Sequence, residues 1–311
     1  MKVLQIAGLA PDLQRDLSQL CDLSVLNKQG NREHFLATRG AEFEVVVTNG
    51  GKGCSAELMR QLPNLRIILG WGVGYDKVDL AEATRRGIRV ANTPDVLNEC
   101  VADMAIAMIL CQARRLLVSS RALAAGDWAA KGTTPLGSKV SGKRLGIVGL
   151  GRIGLETAKR AAAFNMDIRY HNRRPRSDVD YPYEASLEAL ARWCDYLVLL
   201  CPGGPETDGL ISAGVLRALG PESVLVNIAR GSVVDESALV SALLQGELGG
   251  AALDVFANEP NFPEELLDLP NVVMFPHIGS ATFETREAMS QLVLDNLKAY
   301  LAHDELLTPV N

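Results

Sequence analysis

Only four histidines occur in the 311 residues, His34, His171, His277 and His303, so imidazole chemistry has few possible owners. His277 follows the apolar run NVVMF (271–275) and stands between Pro276 and a short turn. Arg230 directly follows SVLVNIA (223–229), while Asp254 and Glu259 lie in LDVFANEP, where the next apolar run gives out. Each side chain follows a strand-like run into a loop. About thirty and about twenty residues apart in sequence, they can therefore converge on one crevice at the carboxyl edge of a sheet.

These residue types suit reduction of a carbonyl. Hydride addition to C=O leaves an alkoxide, which takes its proton from a positioned acid, and imidazolium fits that task near neutral pH. A carboxylate beside the ring favours the charged form and fixes which nitrogen donates. An arginine can grip a neighbouring carboxylate in bidentate fashion and polarise the ketone of a 2-oxo acid. Taken singly, each residue has an ordinary alternative: a surface arginine, a loop-solubilising glutamate, a packed turn histidine. The other imidazoles have weaker claims, His34 in the charged stretch NREH, His303 in AHDE near the C-terminus, and His171 at a strand end.

A second site is written in KRLGIVGLGRIGLETAKRAAAF (143–164), where Gly149-x-Gly151-x-x-Gly154 stands between a strand and an alanine-rich helix. In that context Gly149 permits the tight turn, Gly151 the close approach of backbone to a pyrophosphate, and Gly154 close helix–sheet packing. Arg152 and Ile153 then open the helix whose free N-terminus faces the anion. An ordinary strand–helix turn is the alternative. Two other glycine-rich stretches, NGGKG (49–53) and GWGVG (70–74), do not lead into a helix at the right spacing. The next strand ends Tyr170-His171-Asn172 and runs into Arg173 and Arg174, with no acid where an NAD-type carboxylate would stand. Two arginines and a neutral Asn172 donor suit a 2′-phosphate, so NADP(H) is favoured over NAD(H). A solvated basic turn is the alternative.

The elements that must hold these residues alternate. Strand-like runs at 3–10, 42–50, 65–70 and 87–93 are separated by helix-like stretches such as 55–62 and 78–87. The alternation restarts at 143–150, 167–172, 196–202, 223–229, 249–256 and 271–277. Short apolar strands alternating with helices predict parallel sheets covered on both faces, an α/β fold. Between the two series, Val101, Met104, Ala105, Met108, Ile109, Leu116 and Leu117 predict one long helix from about 94 to 127, followed by an exposed connection at 129–142.

Composition narrows the rest. The formal net charge of −6 offers no basic field to a nucleic-acid backbone. No uncharged apolar stretch approaches the ~18 residues of a membrane span. The opening MKVLQIAGLAPDLQRD makes a poor signal peptide, and six cysteines without a Cys-x-x-Cys pair fit reduced, cytoplasmic usage. No metal-ligand spacing, Gly-x-Ser-x-Gly elbow or Walker loop is present.

The chain resembles the D-isomer-specific 2-hydroxyacid dehydrogenases in GLGRIG (149–154), in NIARGSVVDESALVSALLQGELGGAALDVFANEP (227–260), in PHIGSAT (276–282) and in the terminal TPVN (308–311). The resemblance spans essentially the whole chain. It implies two Rossmann-like domains with the active site in the cleft between them. Residues 98–282 would be the NADP-binding domain, and 1–97 with 283–311 the substrate domain. It places Arg230, Glu259 and His277 in catalysis and Asp254 at the nicotinamide carboxamide. Cys201, Pro202, Thr207, Ile228 and Gly279 become further coenzyme positions. The amides of Gly72, Val73 and Gly74 become the cradle of the substrate carboxylate, and the helix after Glu99 a homodimer contact. Where NAD-linked members often read Tyr-Asp-Pro, this chain has Tyr-His-Asn-Arg-Arg-Pro. The NADPH-linked glyoxylate/hydroxypyruvate reductases are the nearest type, with 2-ketogluconate and hydroxyphenylpyruvate reductases as alternatives. An NAD-linked phosphoglycerate or D-lactate dehydrogenase would show itself by coenzyme preference. A non-catalytic NADP-binding regulator of the same fold would not need Arg230, Glu259 and His277 together.

Overall fold

The computed structural model describes residues 1–311, which form two compact units, Met1–Leu97 with Ala281–Asn311, and Asn98–Ser280. In the first unit, β1 (Lys2–Gln5), α1 (Pro11–Leu20), β2 (Asp22–Val25), α2 (Arg32–Arg39), β3 (Val45–Asn49), α3 (Ala56–Arg60), β4 (Ile67–Trp71), α4 (Leu80–Arg85) and β5 (Arg89–Ala91) follow in turn. The strands form one parallel sheet in the order β2-β1-β3-β4-β5. Alternate side chains go to opposite faces, as the two-residue period of a strand requires. Val45, Val47, Ile67 and Leu69 join one buried cluster, and Val46, Ile68 and Val90 the other.

The second unit opens with α5 (Asn98–Ala113), α6 (Leu116–Ala124) and α7 (Asp127–Lys131). It continues with β6 (Arg144–Val148), α8 (Arg152–Ala163), β7 (Asp167–His171), α9 (Leu187–Trp193), β8 (Tyr196–Leu199), α10 (Ala213–Leu219), β9 (Val224–Asn227), α11 (Glu236–Leu244), β10 (Gly250–Leu253) and β11 (Val272–Met274). Its six parallel strands lie in the order β11-β10-β9-β8-β6-β7. This is the doubly wound α/β arrangement that the strand–helix alternation predicts. Finally α12 (Phe283–His303), capped by Thr282, packs on β4 and α1 of the first unit and buries Val293 and Leu297 there.

One local expectation needs correction, and one strand has no counterpart in the sequence reading. The long helix predicted from about 94 to 127 is three helices. α5 stops after Ala113, whose carbonyl accepts the Ser138 N–H at 2.7 Å, and Arg115 turns left-handed with φ of 51°. The returning chain thus supplies the cap, and a distant segment carries no signal in local apolar spacing. The sequence also gives no reading of β2. It is a four-residue edge strand, DLSV, with no fully buried residue and hence no apolar run. No helix is long and apolar enough to cross a membrane.

Candidate active site

The glycine turn after β6 has its shape for steric reasons. Gly149 has φ of 98°, and a Cβ there would stand 2.4 Å from the Cys201 nitrogen. At Gly154 a Cβ would approach the Gly149 oxygen to 2.5 Å, so α8 sits against the turn itself. Gly151 differs, because a Cβ there would meet nothing within 4 Å. That open space lies at the N-cap of α8, where no side chain caps the helix and no acid occupies the first turn. A helix N-terminus facing an open cradle is the chemistry that accepts a diphosphate. These residues fit a dinucleotide. Gly151→Ala should therefore leave the unfolding midpoint unchanged while weakening NADPH binding at least tenfold, about 1.4 kcal/mol. Thermal unfolding beside a fluorescence titration reads both, and unchanged binding would show that the cradle holds no phosphate.

Neighbouring loops brace this turn. Asn172, just beyond β7, accepts the Leu150 N–H on Oδ1 at 2.7 Å, and Arg176 donates to the Leu150 carbonyl at 2.9 Å. The side-chain amide oxygen of Asn172 thus shapes the turn. Arg173 and Arg174 are exposed beside it, and Arg173 pairs with Glu206 of the loop after β8. His171 Nδ1 faces the Glu184 carbonyl at 2.9 Å, which ties that ring into the domain. In the loop after β8, the Thr207 hydroxyl donates to the Pro202 carbonyl at 2.7 Å. Burial pushes the Cys201 thiol up to about 11, so it stands beside the turn as a neutral group.

The loops after β9, β10 and β11 bring together the second group. Gly231 lies so close to the chain at Phe256 that a Cβ would fall 1.9 Å from its carbonyl carbon, which locks the Arg230 loop to the Glu259 loop. Arg230 lies near enough to Glu259 to favour the ionised carboxylate. Glu259 Oε1 accepts the Phe256 N–H at 3.1 Å, and Oε2 lies 2.8 Å from His277 Nδ1. Burial works against ionisation of Glu259, yet the His277 hydrogen bond and charge, the Phe256 amide and Arg230 outweigh it. The carboxyl is held below its ordinary range. With Nδ1 turned to Glu259, the ring has Nε2 left to offer, and the two side chains are 44% and 31% exposed.

His277 itself has φ of 52°, in the left-handed region that costs a residue with a Cβ about 1–2 kcal/mol. Asp254 offsets that cost. Its carbonyl accepts the His277 N–H at 2.9 Å, and its carboxylate accepts the Ile278 and Gly279 N–H groups at 2.8 and 2.7 Å. Asp254 is 1% exposed, and burial raises its pKa against the pull of those amides and of His277. Ile228 closes the same corner, lying 3.2 Å from where a Cβ on Gly279 would be.

Gly72, Val73 and Gly74 belong to the first unit, at the end of β4. The Gly72 N–H already donates to Thr93 Oγ1 at 3.0 Å, and the Gly72 carbonyl accepts the Thr93 N–H at 3.0 Å. Asn92 donates to the Val73 carbonyl at 2.8 Å and is itself held by the Thr308 hydroxyl, 2.6 Å from the Asn92 carbonyl. The terminal TPVN segment is therefore part of what fixes this loop. The Gly72 amide is therefore engaged within the loop.

Comparison with known proteins identifies the family. Residues 106–279, more than half of the chain, match the model of the D-isomer specific 2-hydroxyacid dehydrogenase NAD binding domain. The chain belongs to the D-isomer-specific 2-hydroxyacid dehydrogenase family, and it is an enzyme of the oxidoreductase class. It is 46% identical over 308 residues to a hydroxyphenylpyruvate reductase of Plectranthus scutellarioides, covering 99% of this chain and 98% of that protein. It is 45% identical over 308 residues to glyoxylate/hydroxypyruvate reductase A of Arabidopsis thaliana, with the same coverage. Among solved structures, an NADPH-dependent glyoxylate/hydroxypyruvate reductase of Sinorhizobium meliloti, in complex with NADP and malonate, superposes with a TM-score of 0.93 at 41% identity, over 99% of this chain and 96% of that one.

Proposed function

We propose that this enzyme uses NADPH to reduce glyoxylate, hydroxypyruvate or a comparably small 2-oxo acid to the D-2-hydroxy acid. The broader activity, NAD(P)H-linked reduction of small 2-oxo acids, is that of the enzymes it is similar to. The observation that carries the reading is the Glu259–His277 pair at 2.8 Å, with Arg230 close enough to influence Glu259. The bound coenzyme supplies a hydride to the carbonyl carbon. Arg230 grips the substrate carboxylate and polarises the carbonyl. In the first unit, the amides of the Gly72–Gly74 loop are donors of the kind a carboxylate takes. His277 gives a proton from Nε2 to the carbonyl oxygen, while Glu259 holds Nδ1 and so orients the ring. Within the Asn98–Ser280 unit, the coenzyme domain of this reading, Gly151, Arg152 and Ile153 receive the diphosphate. Arg173 and Arg174 receive the 2′-phosphate, and Cys201, Pro202, Thr207, Ile228, Asp254 and Gly279 line the remainder.

The test is steady-state reduction of glyoxylate, hydroxypyruvate, 2-ketogluconate, hydroxyphenylpyruvate and pyruvate, each with NADPH and with NADH. The reading expects the highest kcat/KM with NADPH and one of the first two acids. Best turnover of hydroxyphenylpyruvate or 2-ketogluconate would assign the enzyme to those reductases, which relatives at 46% and 43% identity represent. Equal efficiency with both coenzymes would remove Arg173 and Arg174 from the role given them, and no turnover at all would favour an NADP-binding regulator. We also propose a homodimer built on the segment after Glu99. α6 buries none of its residues, and Leu116, Leu123 and Trp128 are exposed there, an apolar surface suited to a second copy. Light scattering at micromolar concentration should give twice the chain mass, and a monomer would overturn this.

A further inference from the structure

We propose that Glu206 is the resident counter-ion of Arg173, displaced by the 2′-phosphate of NADPH, and thereby sets how strongly the enzyme discriminates NADPH from NADH. This rests on the NADPH reading above. The argument begins with the sheet. Because β6 lies between β7 and β8, the loops at the carboxyl ends of β7 and β8 flank the glycine turn that leaves β6. Arg173 stands two residues past the end of β7, and Glu206 stands in the loop after β8, 33 residues further along the chain. Their ion pair therefore joins the two loops on either side of the turn that would receive the coenzyme diphosphate.

Both partners are presented by ordered backbone. Arg173 follows Asn172, whose Oδ1 is bonded to the Leu150 N–H. Glu206 sits in a turn where the Thr207 N–H donates to the Gly204 carbonyl at 3.0 Å and the Thr207 hydroxyl donates to Pro202. A third bond, from the Gly209 N–H to the Ser232 carbonyl at 2.8 Å, anchors the far end of that loop. The charged ends remain in water, 79% exposed on Arg173 and 70% on Glu206, so a soluble anion can reach the guanidinium.

The consequence for selectivity is electrostatic. Position 171 lacks the carboxylate of an NAD-type site, but Glu206 brings one to Arg173 from another loop. A phosphate that approaches Arg173 must first displace an anion already bound there. Only the difference between the two ion pairs then appears as preference for NADPH. NADH brings no second anion to that place, so the pair can stay closed. Glu206 has no part in the proton or hydride transfers, and its action is confined to this exchange.

Glu206→Gln keeps the shape and removes the charge, at an exposed site where folding is not at stake. The ratio of kcat/KM with NADPH to kcat/KM with NADH should rise about two- to fivefold, the scale of an exposed ion pair. The rise should shrink at molar salt, where the Debye length falls to about 3 Å. In the Arg173→Gln background, adding Glu206→Gln should leave the ratio where Arg173→Gln put it. An unchanged or lower ratio in the single variant would overturn the proposal. An equal rise without Arg173 would also overturn it, because Glu206 would then act by repelling the coenzyme directly. Failure of the NADPH reading shows separately, as a wild-type preference for NADH. Should that occur with a Glu206→Gln gain confined to NADPH, the counter-ion role stands and the coenzyme reading falls.

Discussion

His277→Ala should lose roughly a hundredfold or more in kcat for reduction, the usual scale for removing a positioned acid, while NADPH binding stays near wild type. The separation of the two effects follows from the structure. The His277 ring meets Glu259, whereas the glycine turn lies at another strand end, after β6. The three bonds that Asp254 makes to residues 277–279 use backbone N–H groups only, so alanine retains the loop that the histidine occupies. A fluorescence titration with NADPH and single-turnover reduction measure the two quantities independently. Near-normal turnover would remove His277 as the acid, and joint loss of binding and turnover would assign it a structural part.

Arg230→Lys should cost at least tenfold in kcat/KM for the 2-oxo acid, about 1.4 kcal/mol or more of transition-state binding. Lysine keeps the charge, but a compact ammonium cannot present two parallel donors to a carboxylate and also face a carbonyl. The native fork is held from below. Asn227 donates to the Arg230 carbonyl at 2.9 Å and accepts the Ala229 N–H at 3.1 Å, while Arg230 Nη1 donates to the Ala229 carbonyl at 2.7 Å. Glu259 also feels the cation, so the lysine variant reports on geometry with the local charge preserved. Wild-type kcat/KM in this variant would take Arg230 out of substrate binding.

How much of this was legible in the sequence depended on range. The β6 turn and its helix could be read because a strand, three spaced glycines and a free helix N-terminus are contiguous. Arg230, Asp254, Glu259 and His277 stood out because each follows an apolar run, and parallel strands end on one edge. The α/β class followed from the same alternation. What the sequence did not carry was contact between distant loops. Nothing near Arg115 signals that Ser138 returns to cap Ala113, so the break between α5 and α6 was missed. Nothing in PGGPETDG marks Glu206 as the partner of an arginine 33 residues earlier. The Asn172 bond to Leu150 and the Thr93 bond to Gly72 are of the same kind, polar pairs with no period. Asn-Thr-Pro after a strand reads as any turn would, and only the fold shows it gripping the Gly72–Gly74 loop.

The central claim is that Glu259 holds His277 Nδ1 so that Nε2 gives up the proton during reduction. Its most direct test is kcat for reduction with NADPH, compared among wild type, Glu259→Gln and Glu259→Ala. Glu259 lies below its ordinary range, so it is an anion near neutral pH. That carboxylate stands 2.8 Å from Nδ1, where an amide oxygen can also accept and a methyl group cannot. Glu259→Gln should therefore keep appreciable activity, because the amide still orients the ring. Glu259→Ala should lose roughly tenfold or more in kcat with NADPH binding near wild type. Wild-type kcat in Glu259→Ala would contradict the account.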